Sequence, residues 1–115
     1  MTKILLADDD ATMISLLKTL LGMEGYEVGT LLDKEGEILD IIRSEKPDAL
    51  LIDVYLGSRN GLDLVRVIRG SQDLKGIKIV MVSGEDKRHE CLAAGADAFL
   101  LKPYMPDDLF RELRS

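Results

Sequence analysis

The sequence predicts an open, doubly wound α/β domain with five parallel strands and helices on both faces of the sheet. Short apolar runs alternate with amphipathic helical stretches along the whole chain, one pair for about every 23 residues. Most of the runs are apolar throughout, as strands covered on both faces are. Five such units are too few to close an eight-stranded barrel, which leaves the open sheet.

Each element follows in order. Lys3–Ala7 (KILLA) is too short for a helix and stops at Asp8, Asp9 and Asp10, so it reads as a buried first strand. From Ala11 to Glu24, Met13, Ile14, Leu16, Leu17, Leu20 and Leu21 recur at helical spacing. Asp10 or Thr12 can cap that helix, and Gly25 breaks it. Tyr26–Thr30 is a thinner, more polar strand, suited to a sheet edge. Lys34–Glu45 carries Ile38, Leu39, Ile41 and Ile42 as a helical stripe and stops before Pro47. Ala49–Asp53 (ALLID) is a third strand, and Gly57 with Asn60-Gly61 marks the loop after it. Leu62–Arg69 is again helical, with Leu64, Val65 and Ile68 on one side. Ile77–Val82 is a strand ending at Ser83-Gly84, and Glu85–Ala94 is a short helix of small residues ended by Gly95. Ala98–Leu101 is the last strand and runs into Lys102-Pro103. A final helix starts at Pro106, with Leu109, Phe110 and Leu113 on its apolar side.

Composition narrows the functions open to such a domain. The chain has 115 residues, 46% of them apolar, enough for one core and one domain, residues 1–115. A net charge of −6, from 21 acidic and 15 basic residues, argues against binding nucleic acid or a membrane through this domain's own field. Trp is absent and aromatic residues are 4%, a poor platform for stacking bases. The single cysteine, Cys91, excludes an internal disulfide and a cysteine-based zinc site. No apolar run reaches the roughly 20 residues of a membrane span, and no secretory signal pattern opens the chain. The reading is a soluble, cytoplasmic, acidic domain.

In an open parallel sheet, ligands bind beyond the carboxyl ends of the strands. The first strand delivers Asp8, Asp9 and Asp10 there, the third Asp53, the fourth Ser83 and the fifth Lys102. If Asp8, Asp9 and Asp53 converge, each like-charged pair costs about 4 kcal/mol at 4 Å and an effective dielectric near 20. Lys102 offsets only part of this, so either one carboxyl stays protonated or a cation joins the group. Oxygen donors without His or Cys favour Mg²⁺, with Mn²⁺ or Ca²⁺ as substitutes. A partly filled Mg²⁺ shell beside a lysine and a hydroxyl suits a phosphoryl group, and Asp53, alone at its strand end, is the candidate nucleophile for an acyl phosphate.

The combination of Asp8-Asp9, Asp53, Ser83-Gly84 and Lys102-Pro103, with the stretch AAGADAFLLKP over Ala93–Pro103, resembles the response-regulator receiver domain of two-component signalling. The resemblance covers essentially the whole chain. It implies a flavodoxin-like (βα)5 fold with strand order 2-1-3-4-5. It implies that Asp53 is the phosphoacceptor, that Asp9 binds Mg²⁺ directly and Asp8 mostly through water, and that the Tyr55 backbone carbonyl adds a metal ligand. Ser83 and the backbone N–H groups of Val54 and Gly84 would hold the phosphoryl group, and Lys102 would pair with one of its oxygens. The Lys102–Pro103 peptide would be cis, and Phe99 would be the aromatic whose rotamer follows Ser83. A sensor histidine kinase or phosphotransfer protein would donate the phosphoryl group. The surface of helix 4, strand 5 and helix 5 would then control an output domain or partner protein, with dimerisation on phosphorylation left open. The short final helix suggests that the domain was cut from a longer chain. Two departures stand out: Gly57 where the family commonly has proline, and the bulky Tyr55 two places after the acceptor.

Other readings remain. Asp8-Asp9-Asp10-Ala11-Thr12 also matches the D-x-D-x-T nucleophile motif of haloacid-dehalogenase-type phosphatases, with Ser83 and Lys102 in place of its later motifs. Only thirteen residues follow Lys102, too few for that family's further acidic motif. A degenerate receiver acting only as an interaction module is the third reading, and the intact acidic pair, acceptor and lysine speak against it. Asp10 is read as a helix cap, His89 as an exposed helix residue and Cys91 as a reduced packing residue. Lys87-Arg88-His89 is read as a solvated helix face.

Overall fold

In the computed structural model, which describes residues 2–32 and 36–115, strand and helix alternate from end to end. The order is β1 (Lys3–Ala7), α1 (Ala11–Met23), β2 (Glu27–Thr30), α2 (Ile38–Glu45), β3 (Ala49–Asp53), α3 (Gly61–Arg69), β4 (Lys78–Ser83), α4 (Arg88–Ala94), β5 (Ala98–Leu101) and α5 (Pro106–Arg114). The five strands form one parallel sheet in the order β2-β1-β3-β4-β5, the expected doubly wound arrangement. Tyr55–Leu56 and Arg59–Asn60 form a separate two-stranded antiparallel pair just after β3.

Side chains on a strand point alternately to opposite faces, and this divides the apolar residues into two cores. Leu5, Ala7, Leu50, Ile52, Ile79, Met81 and Phe99 pack against α2, α3 and α4. Ile4, Leu6, Ala49, Leu51, Val80 and Val82 pack on the other face against Leu17 and Leu21 of α1 and Leu109 and Phe110 of α5. Ala7, Ile52, Met81 and Phe99 form the last row that four strands share. The next residues, Asp8 and Asp53, therefore point toward the α1–α5 face, and Lys102 falls on that face by the same alternation. Ser83 falls on the face that holds Phe99.

Several boundaries differ from the sequence reading. The second helix begins at Ile38, not Lys34: Gly36 takes φ +112 and Glu37 is extended, while Asp33, Lys34 and Glu35 lie outside the described residues. The fourth helix begins at Arg88, not Glu85. Ser83 Oγ accepts the Glu85 N–H at 3.1 Å and Asp86 Oδ1 accepts the Arg88 N–H at 3.2 Å, so side chains hold these residues as a loop. The fourth strand is shifted by one residue, to Lys78–Ser83, because the Lys102 N–H reaches the Ser83 carbonyl at 2.8 Å. Among the described residues no helix is long and apolar enough to cross a membrane.

Candidate functional site at the carboxyl edge of the sheet

Asp53 ends β3 with its carboxylate held on both oxygens. Oδ1 accepts the Tyr55 N–H at 2.9 Å, and Oδ2 takes a close ion pair from the Lys102 ammonium. Asp53 and Asp8 are both 7% exposed, which identifies the pair as a pocket floor, not a surface patch. Asp8 Oδ1 accepts the Asp10 N–H at 2.8 Å, and its Oδ2 lies 3.7 Å from Lys102 Nζ. One ammonium thus sits between two buried carboxylates.

The charges respond accordingly. Burial pushes the Asp8 carboxyl above its ordinary range, against the Asp10 N–H and Lys102, with Asp53 and Asp9 adding to the rise. Burial works against the Lys102 ammonium too, but the Asp53 hydrogen bond and the charges of Asp53, Asp8 and Asp10 outweigh it and raise its pKa.

Asp9 is exposed. Its Oδ2 lies 3.2 Å from where a Cβ on Gly57 would stand, and Gly57 takes φ +64, so the chain after Asp53 turns close beneath Asp9. Among the described residues no three acidic, His or Cys side chains form a ready-made metal cage. The donor set still fits Mg²⁺, which keeps several waters and commonly takes only one or two carboxylates. Asp8, Asp9, Asp53 and the Tyr55 carbonyl offer oxygen donors alone.

Ser83 is fully buried at the tip of β4, with its hydroxyl on the Glu85 N–H. Gly84 is exposed beside it, and a Cβ there would meet nothing within 4 Å. The Lys102–Pro103 peptide is cis. Phe99 is 2% exposed, with the Arg88 guanidinium 5.5 Å above its ring.

One expected phosphoryl donor is engaged elsewhere in this structure. The Val54 N–H donates to the Val82 carbonyl at 3.0 Å, so strand pairing consumes it. The amide that faces the Asp53 carboxylate is that of Tyr55. Two residues that matter here carry no site signal in the sequence. Gly61 donates its N–H to the Val54 carbonyl at 2.7 Å, and a Cβ on it would overlap the Asp53 carbonyl oxygen. Its only signal was the Asn60-Gly61 pair, which marked a turn. Tyr104 places a buried hydroxyl near the acidic pair, and nothing in the sequence pattern singled it out.

Asp10 does not join the floor. Its carboxylate caps α1 by accepting the Thr12 and Met13 N–H groups at 3.0 and 3.2 Å. This removes the second acid of the D-x-D-x-T phosphatase motif from the site, because that chemistry needs Asp8 and Asp10 side by side.

Comparisons with known proteins identify the family and the fold. A family model for the response regulator receiver domain matches residues 4–114. The chain is 37% identical over 115 residues to the transcriptional regulatory protein CpxR of Escherichia coli, covering 100% of the chain and 49% of the relative. It is 32% identical over 116 residues to the DNA-binding response regulator MtrA of Mycobacterium tuberculosis, covering 98% of the chain and 49% of that protein. The chain therefore spans about half the length of these curated relatives. Among solved structures, the chemotaxis response regulator CheY4 of Vibrio cholerae superposes with a TM-score of 0.85 at 28% identity, covering 99% of this chain and 97% of that one. The BeF3-activated receiver domain of Klebsiella pneumoniae RstA gives 0.83 at 28% identity, covering 98% and 96%.

Proposed function

The chain belongs to the response regulator receiver domain family, and from that premise we propose that Asp53 takes up a phosphoryl group in a Mg²⁺-dependent reaction that resets the surface of α4, β5 and α5. The observation that carries this reading is the placement of Asp53: buried, pinned by one backbone amide and one ammonium, beside a second buried carboxylate. A carboxylate so held presents its oxygens in a fixed direction, which is what in-line attack on phosphorus requires.

In the proposed reaction an Asp53 carboxylate oxygen forms a bond to phosphorus as the phosphorus–nitrogen bond of a phosphohistidine breaks, and the leaving imidazole nitrogen takes a proton. The donor is a sensor histidine kinase or phosphotransfer protein. Asp8, Asp9, Asp53 and the Tyr55 carbonyl would hold Mg²⁺, which supplies charge neutralisation for the carboxylates and the incoming phosphoryl oxygens. Lys102 gives up its tight pairing with Asp53 and follows the new negative charge. The Ser83 hydroxyl and the Gly84 and Tyr55 N–H groups donate to the remaining oxygens. Ser83 releases the Glu85 N–H as it turns, which loosens the start of the α4 loop, and Phe99 on the same face responds. The altered α4–β5–α5 surface then selects an output domain or partner protein. The name of CpxR points to transcriptional regulation and that of MtrA to DNA binding in those relatives. In this reading DNA is contacted by an output unit and not by the acidic receiver.

Incubation with MgCl2 and acetyl phosphate is expected to add one phosphoryl group by intact mass. The adduct should vanish in Asp53→Asn and when EDTA replaces Mg²⁺. A wild-type chain that stays unmodified under conditions that label a known receiver domain would overturn the reading, as would labelling that survives Asp53→Asn. Elution volume with and without beryllofluoride then reports whether activation dimerises the domain.

A further inference from the structure

Tyr104 follows the cis Lys102–Pro103 peptide, and its ring packs into the α1–α5 core. Its hydroxyl is buried and has no hydrogen-bond partner among the described residues. Buried polar groups nearly always have one, so the hydroxyl marks a place where a partner belongs. The phenol stays protonated at any ordinary pH: burial, then the charges of Asp8 and Asp53, push its pKa up to about 12. It is therefore a hydrogen-bond donor in search of an acceptor.

The ring's apolar side offers none. Met13, Leu17, Leu20, Pro106, Leu109 and Phe110 line a cavity of about 430 Å³ with it between α1 and α5. The acidic side does. Asp8 and Asp53 point toward this same face of the sheet, and Asp8 is the under-supplied member of the pair. An ionised carboxylate can accept about four hydrogen bonds. Among the described residues Asp8 accepts one, from the Asp10 N–H, and Lys102 Nζ stands 3.7 Å off and engaged with Asp53. A donor without an acceptor and a buried carboxylate short of donors thus lie on the same face of the sheet, near enough for the charge of Asp8 to raise the Tyr104 pKa. A direct hydrogen bond between them is not made, and a single buried water joins such groups at little cost.

We propose that Tyr104 is a positioning residue for the acidic site: its hydroxyl donates through one buried water to the Asp8 carboxylate and fixes the direction that Asp8 presents to a divalent cation. This rests on the reading of Asp8 as a Mg²⁺-binding residue. Partners one shell out from a ligand orient it and tune its affinity, and they are lost without any change in the ligands themselves.

Calorimetric titration with MgCl2 alone, with no phosphodonor, tests this in wild type and in Tyr104→Phe, which keeps the ring and removes only the hydroxyl. Mg²⁺ binding is expected to weaken about tenfold in the variant. Its thermal midpoint without divalent ions is expected to stay level or fall, because the bridging water is lost with the hydroxyl. Equal Mg²⁺ affinity in the two proteins would overturn the inference and leave the receiver reading standing. A rise in the ion-free midpoint would accompany that result if the hydroxyl were an idle buried group. A wild-type chain that binds no Mg²⁺ would overturn the reading and the inference together.

Discussion

At Gly61 the absence of one carbon shapes the site. Its Cα sits so close to the end of β3 that a Cβ would overlap the Asp53 carbonyl oxygen and lie 3.0 Å from the Val54 Cα. Both obstacles are backbone and cannot rotate away. Gly61→Ala is expected to cost about 2–3 kcal/mol in urea melts, at the upper end of overpacking, because α3 must back away from β3. Gly22, inside α1 with nothing within 4 Å of its Cβ position, is the internal comparison. Gly22→Ala is expected to stabilise by about 0.5–1 kcal/mol through helix propensity alone. Asp8 carries a different tension. Its folded-state pKa is raised, burial being the largest cause, so folding favours the protonated acid. The stability this acid lends is complete below the ordinary carboxylate range and declines as pH rises through the elevated value. Asp8→Asn, measured without divalent ions, is expected to flatten that decline. At neutral pH it should be more stable than wild type in urea melts, and acidification should close the gap as wild-type Asp8 takes up its proton. A wild-type melt that gains stability over the same rise in pH relative to Asp8→Asn would contradict it.

Arg69 shows how the elements are tied together. At the end of α3 its guanidinium donates to the carbonyls of Gly95 at 2.8 Å, Ile77 at 2.8 Å and Lys75 at 3.1 Å, and to Asp97 Oδ2 at 2.7 Å. Asp97 Oδ2 also accepts the Ile79 N–H at 2.8 Å, so one network joins α3, the start of β4 and the turn between α4 and β5. Arg69→Ala is expected to cost about 1–3 kcal/mol, since it takes the donor from three carbonyls and the ion pair from a half-exposed Asp97 that keeps only the Ile79 N–H. Arg69→Lys should recover little of this, because one ammonium cannot span a planar fork's targets. Full recovery by lysine in urea melts would reduce the network to a point charge. In the sequence pattern Arg69 is only the last residue of a helical stretch. That is the limit of periodicity: Leu62–Arg69 and Ala49–Asp53 were legible because burial imposes a local repeat, whereas Arg69's partners lie up to 28 residues away. The short pair Tyr55–Leu56 with Arg59–Asn60 leaves no mark in the sequence for a related reason, being too brief to have a period. The choice between the Val54 and Tyr55 amides also depends on strand pairing with Val82, which composition does not encode. The acidic floor itself was legible, since the end of a buried strand is a position that sequence can mark.

At the scale of the molecule, folding gathers charges that the unfolded chain spreads out. The net charge is −6, and two buried carboxylates share one ammonium at the sheet's carboxyl edge. Any cation that fits this edge binds the folded chain and not the unfolded one, so it must raise stability by mass action. At a free concentration of 100 times its dissociation constant, Mg²⁺ is expected to add about 2.7 kcal/mol. For a chain of this length that raises the melting midpoint by on the order of 10 °C. General screening of a net-negative chain would also stabilise it, but it depends on ionic strength and not on which cation is present. Matched NaCl should therefore reproduce only a small part of the shift. In Asp8→Asn/Asp9→Asn the MgCl2 and NaCl curves should coincide, although the net charge of that variant is also smaller in magnitude. Equal responses of the wild type to the two salts at matched ionic strength would mean that the strand ends bear charge without forming a cation site.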